Sequence, residues 1–398
     1  MPFSQNFLGG GKGGGKGGGK GGGKGGGKGG GKGGGKGGGK GYDDDGSIAD
    51  ARLTIHDAIA ADWNGQVSRP VSAFAPSGDL KYLSQERRLD ILLGAAMPAF
   101  SVRADGDTGT ACTVSAGGQD ICTLERPEIP LLERQAKWVR AYSDLRADRI
   151  GEILLQLDDI VSAFSAVSAF DLPSREATAE FVALTQDVAI MVEMQVKHFL
   201  RSPRPIAFSE RVVPVIDTPD HSTFPSGHAT EAFAIATVLA RLERGQRPKA
   251  AGEGILFALA HRIAVNRTVA GVHFPVDSAA GARLGCAIGE AICALATGGT
   301  AARYDFDCNT VPEDGDADTH NPDFNRRDVA DFLDAQPADD VEIAAPSNPA
   351  LGDRWQAAVL EWPDRDAQGG GDADGGEDGG EEGGEEGGED GGEDGAGR

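Results

Sequence analysis

Three short segments of this 398-residue chain carry the residue types that bind and transform an anion. They are residues 197–205 (KHFLRSPRP), 224–229 (FPSGHA) and 266–277 (NRTVAGVHFPVD). Lys197, Arg204 and Arg267 come from separate segments, and their convergence would neutralise a tetrahedral dianion. Guanidinium groups also fix its orientation through bidentate contacts. The first chemistry to consider is therefore the binding of phosphate or a similar oxyanion.

The second segment supplies backbone donors to such an anion. Its Ser-Gly-His sequence, at residues 226–228, follows a proline and enters a helical pattern. The N–H groups of a helical first turn lack helical partners and carry the positive end of the helix dipole. Gly227 has no side chain to keep the anion away from the backbone, and the Ser226 hydroxyl adds a further donor.

The third segment supplies a nucleophile or ligand. Asp277 lies four residues after His273, so it can cap the next helix and accept a proton from the His273 ring. A carboxylate in that position sets the imidazole tautomer and leaves the other ring nitrogen free. His228 then remains as the proton-transfer partner. Each segment alone is typical of a solvated helix end or a structural histidine, but the three in this order predict an active site.

The three segments resemble the signature motifs of the phosphatidic acid phosphatase type 2 / vanadium haloperoxidase superfamily. Those motifs are Lys-x6-Arg-Pro, Pro-Ser-Gly-His and Ser-Arg-x5-His-x3-Asp, and their counterparts here span residues 197–277. The resemblance implies a helical bundle with the pocket at its centre. Asn266 stands where the family usually has Ser. Because Asn also donates a hydrogen bond, we expect a retuned site rather than a lost one.

The resemblance implies a metal-independent, acid-phosphatase-like hydrolase that cleaves phosphate monoesters through a phosphohistidine. His273 would attack phosphorus, with Asp277 orienting its ring. His228 would protonate the leaving oxygen and then deprotonate the water that releases phosphate. The cradle for the phosphoryl oxygens would consist of Lys197, Arg204, Ser226, Gly227 and Arg267. Fixed cations would then provide the charge stabilisation that a divalent metal provides elsewhere.

Two alternatives stay open. In a vanadium-dependent haloperoxidase the same pocket would bind vanadate as cofactor, with His273 as its axial ligand and His228 assisting peroxide activation. His221 supports this alternative, since it occupies a position where the bromoperoxidases of the family carry His and would tune a peroxidase. The second alternative is a non-catalytic phosphate-binding scaffold. Outside the vanadate alternative we expect no cofactor, and no metal, because the chain has neither HExxH nor paired cysteines.

The elements that must position these residues are mostly helices. Apolar spacing predicts helices at 48–64, 83–100, 131–164, 227–243, 253–267 and 278–297, and another that ends near Arg201. The last segment is rich in Ala and Gly, which allows close helix packing. Residues 101–130 contain Gly, Thr, Asp and Pro and predict a long loop, and 211–216 predict a strand. We therefore expect an all-α helical bundle at 42–297.

Two glycine-rich arms flank the folding part. Residues 1–41 contain eight Gly-Gly-Gly-Lys repeats, and residues 369–398 contain Gly with Glu and Asp. Neither arm has apolar side chains to bury, so both are predicted to stay disordered. Residues 298–368 form an acidic, loop-rich extension with helical periodicity only at 326–335 and 353–361. The net charge of −24 argues against a general nucleic-acid binder.

Partners and location follow from smaller signals. The five cysteines form no CxxC pair, and residues 1–8 lack the basic and apolar stretches of a signal peptide. The most apolar run, at 277–302, is interrupted by Arg283 and Glu290. We expect a soluble, cytoplasmic protein without a membrane span, acting on a small-molecule phosphorylated substrate and on no specific nucleic acid. Export by another route and the oligomeric state stay open.

Overall fold

The computed structural model describes residues 80–105, 109–248, 254–311, 320–335 and 340–363, with isolated positions at 55, 65, 66 and 316. The chain is mostly helical, which confirms the predicted all-α class. Its helices are α1 (Gln85–Ala96), α2 (Ile129–Tyr142), α3 (Arg146–Asp158), α4 (Val161–Ser165), α5 (Glu176–Leu200), α6 (Gly227–Arg244), α7 (Ile255–Ala270), α8 (Pro275–Thr297), α9 (Arg326–Ala335) and α10 (Ala350–Leu360). Both glycine-rich arms, and the helix predicted at 48–64 apart from residue 55, lie outside the described residues, and the domain boundaries stay predictions.

Helices α5, α6, α7 and α8 form the centre of the bundle. Helix α8 packs closely on α6 because Gly281, Gly285 and Gly289 line the contact at four-residue spacing. A Cβ atom on Gly285 would lie 2.4 Å from the carbonyl oxygen of Thr230, closer than packed atoms approach. The absence of these side chains lets the two helix backbones approach, as the Ala- and Gly-rich sequence predicts.

The three motif segments lie where the central helices begin or end. Helix α5 ends at Arg201, whose backbone is left-handed with φ of 46°. Helix α7 ends at Gly271, where a left-handed φ of 87° suits a residue without Cβ. Helix α6 begins at Gly227, and the N–H of Ser226 just before it donates to the Asp277 carbonyl at 2.9 Å. That bond ties the start of α6 to the start of α8.

The prediction of a long loop at 101–130 is wrong. Three antiparallel strands, β1 (Phe100–Asp105), β2 (Ala111–Ala116) and β3 (Gln119–Glu125), pair in the order β1-β2-β3. Gly117 and Gly118 connect β2 to β3 with φ of 57° and 82°, the conformation that a two-residue hairpin favours. The Gly and Thr content that indicated a loop belongs to this hairpin and to strands that bury Val114 and Ile121.

Two further element predictions are also wrong. The helix expected at 131–164 is divided into α2, α3 and α4, with a short 3-10 segment at Ser143–Leu145. Asp159 ends the second piece, because its carboxylate accepts the N–H of Ser162 at 2.8 Å and starts α4. Residues 211–216 form no strand. Pro214 offers no N–H there, and the Val215 N–H donates to the α7 residue Ala270 at 3.0 Å.

Residues after 297 also contribute to the core. Helix α10 packs against α5, and Trp355 meets Phe181 edge to face, with ring centroids 5.0 Å apart. Short strands β4 (Thr300–Ala301) and β5 (Val341–Glu342) pair antiparallel beside α8. The helices near 326–335 and 353–361 that the periodicity indicated are present as α9 and α10.

Candidate active site

His273 lies at the centre of the site, in the turn between α7 and α8, and is buried. Its Nδ1 lies 3.1 Å from Oδ2 of Asp277, one turn into α8. The same oxygen accepts the Phe274 N–H at 2.8 Å and the Thr223 hydroxyl at 2.6 Å. Because a carboxylate oxygen only accepts, Nδ1 carries the ring proton and Nε2 has a free electron pair. The predicted His273 and Asp277 pairing is therefore present.

Nε2 of His273 faces the cationic side of the site. Arg204 Nη1 lies 3.3 Å from it and also donates to the Val272 carbonyl at 2.9 Å. Burial lowers the pKa of His273 well below its usual value, and the charges of Arg204 and Lys197 lower it further. The imidazole is consequently neutral, as a nucleophile must be. Burial also raises the pKa of Asp277 to about 6, so above that pH the carboxylate is ionised.

Lys197 holds its ammonium group inside the protein on backbone carbonyls. It donates to Ser222 O at 3.2 Å and also to Pro225 O, directly before the Ser-Gly-His turn. Burial lowers its pKa to about 8, although nearby Glu193 opposes the shift. Lys197 and Arg204 also line a cavity of about 450 Å³ that opens between the end of α5 and residues 219–222. The cavity gives the cradle its access.

Arg267 and Ser226 present donors that nothing in the protein accepts. Among the described residues, Arg267 Nε and Nη1 and the Ser226 hydroxyl are buried without a hydrogen-bond partner. Buried polar groups almost always have partners, and a buried cation without one is especially unfavourable. The unpaired donors of Ser226, just before α6, and of Arg267, in α7, therefore suit an anion. A tetrahedral oxyanion, either phosphate or vanadate, supplies the acceptors that they lack.

His228 lies in the first turn of α6, and its Nε2 donates to the carbonyl of Gln156 at 2.8 Å. Burial lowers the pKa of His228 to about 3, and the charge of Arg267 adds to the shift. The ring is therefore neutral, with the proton on the nitrogen that faces α3. A bound dianion would offset the Arg267 charge and raise this pKa, which the predicted acid–base role needs.

Gln156 is a site residue that the sequence reasoning missed. Its side-chain oxygen accepts from Arg267 Nη2 at 2.8 Å and from Asn266 Nδ2 at 3.1 Å, while its backbone oxygen accepts from His228. The one sequence signal was a Gln three residues after the buried Ile153 on the same helix face. Asn266, which stands where the family usually has Ser, therefore acts on the cradle through Gln156.

Thr223 was also missed, since no motif position marks it. Its hydroxyl donates to Asp277 and lies 3.1 Å from Nδ1 of His273. His221 sits at the mouth of the cavity with Nδ1 3.2 Å from Nη2 of Arg204. The structure therefore brings the predicted residues of all three segments to one end of the bundle, with His228 turned toward α3 and His221 at the entrance.

Comparison with known proteins agrees with this geometry. Residues 178–297, which include all three motif segments, match the model of the PAP2 superfamily. This match confirms the resemblance for the segment that carries the three motifs. It is similar to the decaprenylphosphoryl-5-phosphoribose phosphatases of Mycobacterium tuberculosis strains CDC 1551 / Oshkosh and ATCC 25618 / H37Rv. Identity to each is 29% over 137 residues, which cover 34% of this chain and 72% of each relative. The superfamily match and these relatives support a phosphatase.

The prediction of a small-molecule substrate and no membrane span is wrong. The relatives are named for a decaprenylphosphoryl, hence lipid-linked, substrate. Helix α8 is long and apolar enough to cross a membrane, with a mean hydropathy of 1.4 over an 18-residue window. Arg283 and Glu290 do not exclude this helix as a candidate span, because two charges do not offset so many Ala, Ile and Leu side chains. Within the protein, 89% of that window is buried.

Proposed function

We propose that this protein is a phosphatase that hydrolyses phosphate monoesters through a phosphohistidine on His273. The observation that carries the proposal is the neutral His273 ring, with Nδ1 paired to Asp277 and the Nε2 electron pair directed to the Arg204 side of the site. With Nδ1 bonded to Asp277, Nε2 of His273 can attack phosphorus. The Asp277 carboxylate then stabilises the positive charge that develops on the imidazole ring.

The proposed reaction has two steps. In the first, Nε2 of His273 attacks phosphorus, and the bond to the leaving oxygen breaks as His228, protonated while the dianion is bound, delivers its proton to that oxygen. The Asp277 carboxylate stabilises the imidazolium through the Nδ1 proton. In the second, His228 removes a proton from water, the hydroxide displaces the histidine, and phosphate leaves. The free donors of Arg267 and Ser226, with Lys197 and Arg204, hold the phosphoryl oxygens throughout.

We propose a lipid-linked phosphate as the substrate class to test first. Met194 lines the access cavity, and Ile190 and Met191, one turn earlier on α5, are exposed beside it. An apolar surface that runs to the mouth of a cationic cavity suits an amphiphilic molecule. The names of the relatives support the same class.

The test is a pair of assays on purified protein, with an aryl phosphate and with a long-chain prenyl phosphate in detergent. We expect phosphate release from both substrates. With 32P-labelled substrate we also expect a label on the protein that is stable in base and lost in acid. His273→Ala should abolish turnover and label. His261→Ala is the matched control, because His261 bonds only the Phe324 carbonyl and lies outside the cradle. Full phosphatase activity in His273→Ala would refute the mechanism.

One observation favours a second function, a vanadium-dependent haloperoxidase. His221 contacts Arg204 at the cavity mouth, where a further imidazole would tune a peroxidase. Vanadate fits the unpaired donors of Ser226 and Arg267 as phosphate does, and these residues would hold it together with His273. When bound, vanadate would supply the activation of peroxide. Bromination with vanadate and peroxide, but no phosphate release, would select the haloperoxidase. The absence of both activities would favour a phosphate-binding scaffold.

A further inference from the structure

Glu193 places a carboxyl group inside the cradle, where no motif predicts one. It lies one turn before Lys197 on α5, and the residue is only 5% exposed. A Cβ atom added to Gly227 would lie 2.4 Å from Oε1 of Glu193 and 2.8 Å from Oε2. The carboxyl group therefore abuts the first residue of α6, at the helix end where Ser226 offers its unpartnered hydroxyl.

The Glu193 carboxyl lacks the partners that a buried carboxylate needs. Among the described residues, its Oε2 is buried with no hydrogen-bond partner. Lys197, on the same face of α5, donates instead to the carbonyls of Ser222 and Pro225. An ionised carboxylate without a partner is strongly disfavoured in such a place.

The charged groups around Glu193 come from three elements. Lys197 lies on its own helix, Arg204 follows that helix, and Glu231 faces it from α6. Burial raises the pKa of Glu193, and the neighbouring Glu231 raises it further, whereas the two cations oppose the shift. Glu231 is held by the amide of Gln186 at 2.8 Å, and burial raises its pKa as well. Two buried carboxyl groups so placed do not ionise together.

We propose that Glu193 is the proton-carrying member of the cradle, which binds a tetrahedral dianion with this carboxyl group in its acid form. The O–H of Glu193 would donate to one oxygen of the anion beside the first turn of α6. Ionised Glu193 would instead repel it. A dianion that binds at alkaline pH therefore brings one proton from solvent, taken up by Glu193. This inference rests on the phosphate site proposed above and adds a residue that selects the protonation state of the complex.

Sulfate is the probe that isolates this proton, because it is a tetrahedral dianion that does not itself titrate near neutral pH. Calorimetric titrations of the full chain with sulfate, in buffers of different ionisation enthalpy, measure both affinity and proton uptake. For wild type we expect the affinity for sulfate to fall as the pH rises and Glu193 ionises, and we expect Glu193 to account for close to one of the protons taken up per sulfate. Inorganic phosphate serves as the comparison ligand.

Glu193→Gln keeps the shape and removes the titration. We expect its proton uptake at alkaline pH to be smaller than that of wild type by close to one proton per sulfate. The uptake that remains belongs to Lys197, whose pKa burial lowers to about 8. Glu193→Met provides a second, apolar replacement of similar length should the amide fold poorly. Proton uptake as large in Glu193→Gln as in wild type would overturn the proposal, since all of the proton would then belong to another group, such as Lys197.

Glu231→Gln is the matched control, because it removes the neighbouring buried carboxyl group and leaves the one beside Gly227. It should retain most of the proton uptake, and loss of uptake in Glu231→Gln alone would overturn the proposal. The outcome is separable from that for the enzyme. Proton-linked sulfate binding without phosphatase turnover would refute the proposed function but support this inference. Turnover with proton-independent sulfate binding would support the proposed function but refute this inference.

Discussion

Replacing Gln156 by leucine tests whether the cradle is held from outside the three motifs. The substitution keeps the volume but removes the oxygen that accepts from Arg267 Nη2 at 2.8 Å and from Asn266 Nδ2 at 3.1 Å. Among the described residues, Arg267 then keeps one hydrogen bond, from Nη2 to the Ile153 carbonyl at 3.3 Å. The backbone bond from His228 survives, because a side-chain change leaves the Gln156 carbonyl in place.

The size of the effect follows from the bonds that are lost. A hydrogen bond to a charged group contributes about 1.5–3 kcal/mol, and each 1.36 kcal/mol is about tenfold in rate. If Arg267 is held for the transition state by this bond, kcat/KM should fall about 10-fold to about 100-fold. The Asn266 amide keeps Oε2 of Glu152 as an acceptor at 3.1 Å, so the loss of its one bond to Gln156 should lower the free energy of unfolding by about 0.5–1.5 kcal/mol.

The assay is steady-state kinetics on an aryl phosphate together with urea unfolding. Gln135→Leu is the matched control, since Gln135 is equally buried and makes three hydrogen bonds, none of them to a cradle residue. It should lose stability but keep kcat/KM once the folded fraction is corrected. Gln156→Glu should retain stability and raise KM, because its charge opposes the substrate. A Gln156→Leu enzyme within twofold of wild type in kcat/KM would refute the reasoning.

Three other substitutions probe packing, a buried ion network and the orienting carboxylate. In thermal melts, Gly285→Ala should lower the free energy of unfolding by about 1–3 kcal/mol, because its Cβ would lie 2.4 Å from Thr230 O. Gly151→Ala, with open space around its Cβ, should raise the free energy of unfolding by about 0.5–1 kcal/mol. Glu180→Ala should lower it by about 3–5 kcal/mol in urea unfolding, since two largely buried guanidinium groups lie 2.6 and 2.7 Å from the Glu180 carboxylate; a loss under 1 kcal/mol would contradict this. Asp277→Asn should reduce kcat about 10-fold to about 100-fold through the lost charge, and an unchanged kcat would contradict an orienting carboxylate.

The helical part of the site was predictable because its signals are local. Lys197, the Ser-Gly-His turn and His273 with Asp277 all lie at helix ends, and capping, proline and glycine mark such ends in the sequence. The four-residue spacing of His273 and Asp277 also predicts that their side chains meet at the start of one helix. These are contacts within one turn, which need no knowledge of how the helices pack.

The residues that sequence reasoning missed depend on contacts between distant segments. Gln156 meets Arg267 across 111 positions, and Glu193 lies against Gly227 only because α5 and α6 pack side by side. A lone Gln or Glu on a helix gives no sign of such a partner. The sheet at 100–125 was missed for another reason, since the Gly117-Gly118 hairpin looks like a loop until the alternation of its buried residues is seen.

The charge balance of the cradle explains how an acidic protein holds a site for an anion. Burial lowers the pKa of the three cradle cations, which are Lys197, Arg204 and Arg267. Burial raises the pKa of three buried carboxyl groups near them, which are Glu193, Glu231 and Asp277. In the absence of an anion, burial therefore favours the neutral forms, as expected for ionisable groups in a low dielectric. An arriving dianion reverses this for the cations, whose charged forms it stabilises, and reinforces it for Glu193, which lies beside the bound anion. The same event thus strengthens the phosphate-holding charges and keeps Glu193 protonated, so binding and proton uptake are two sides of one equilibrium.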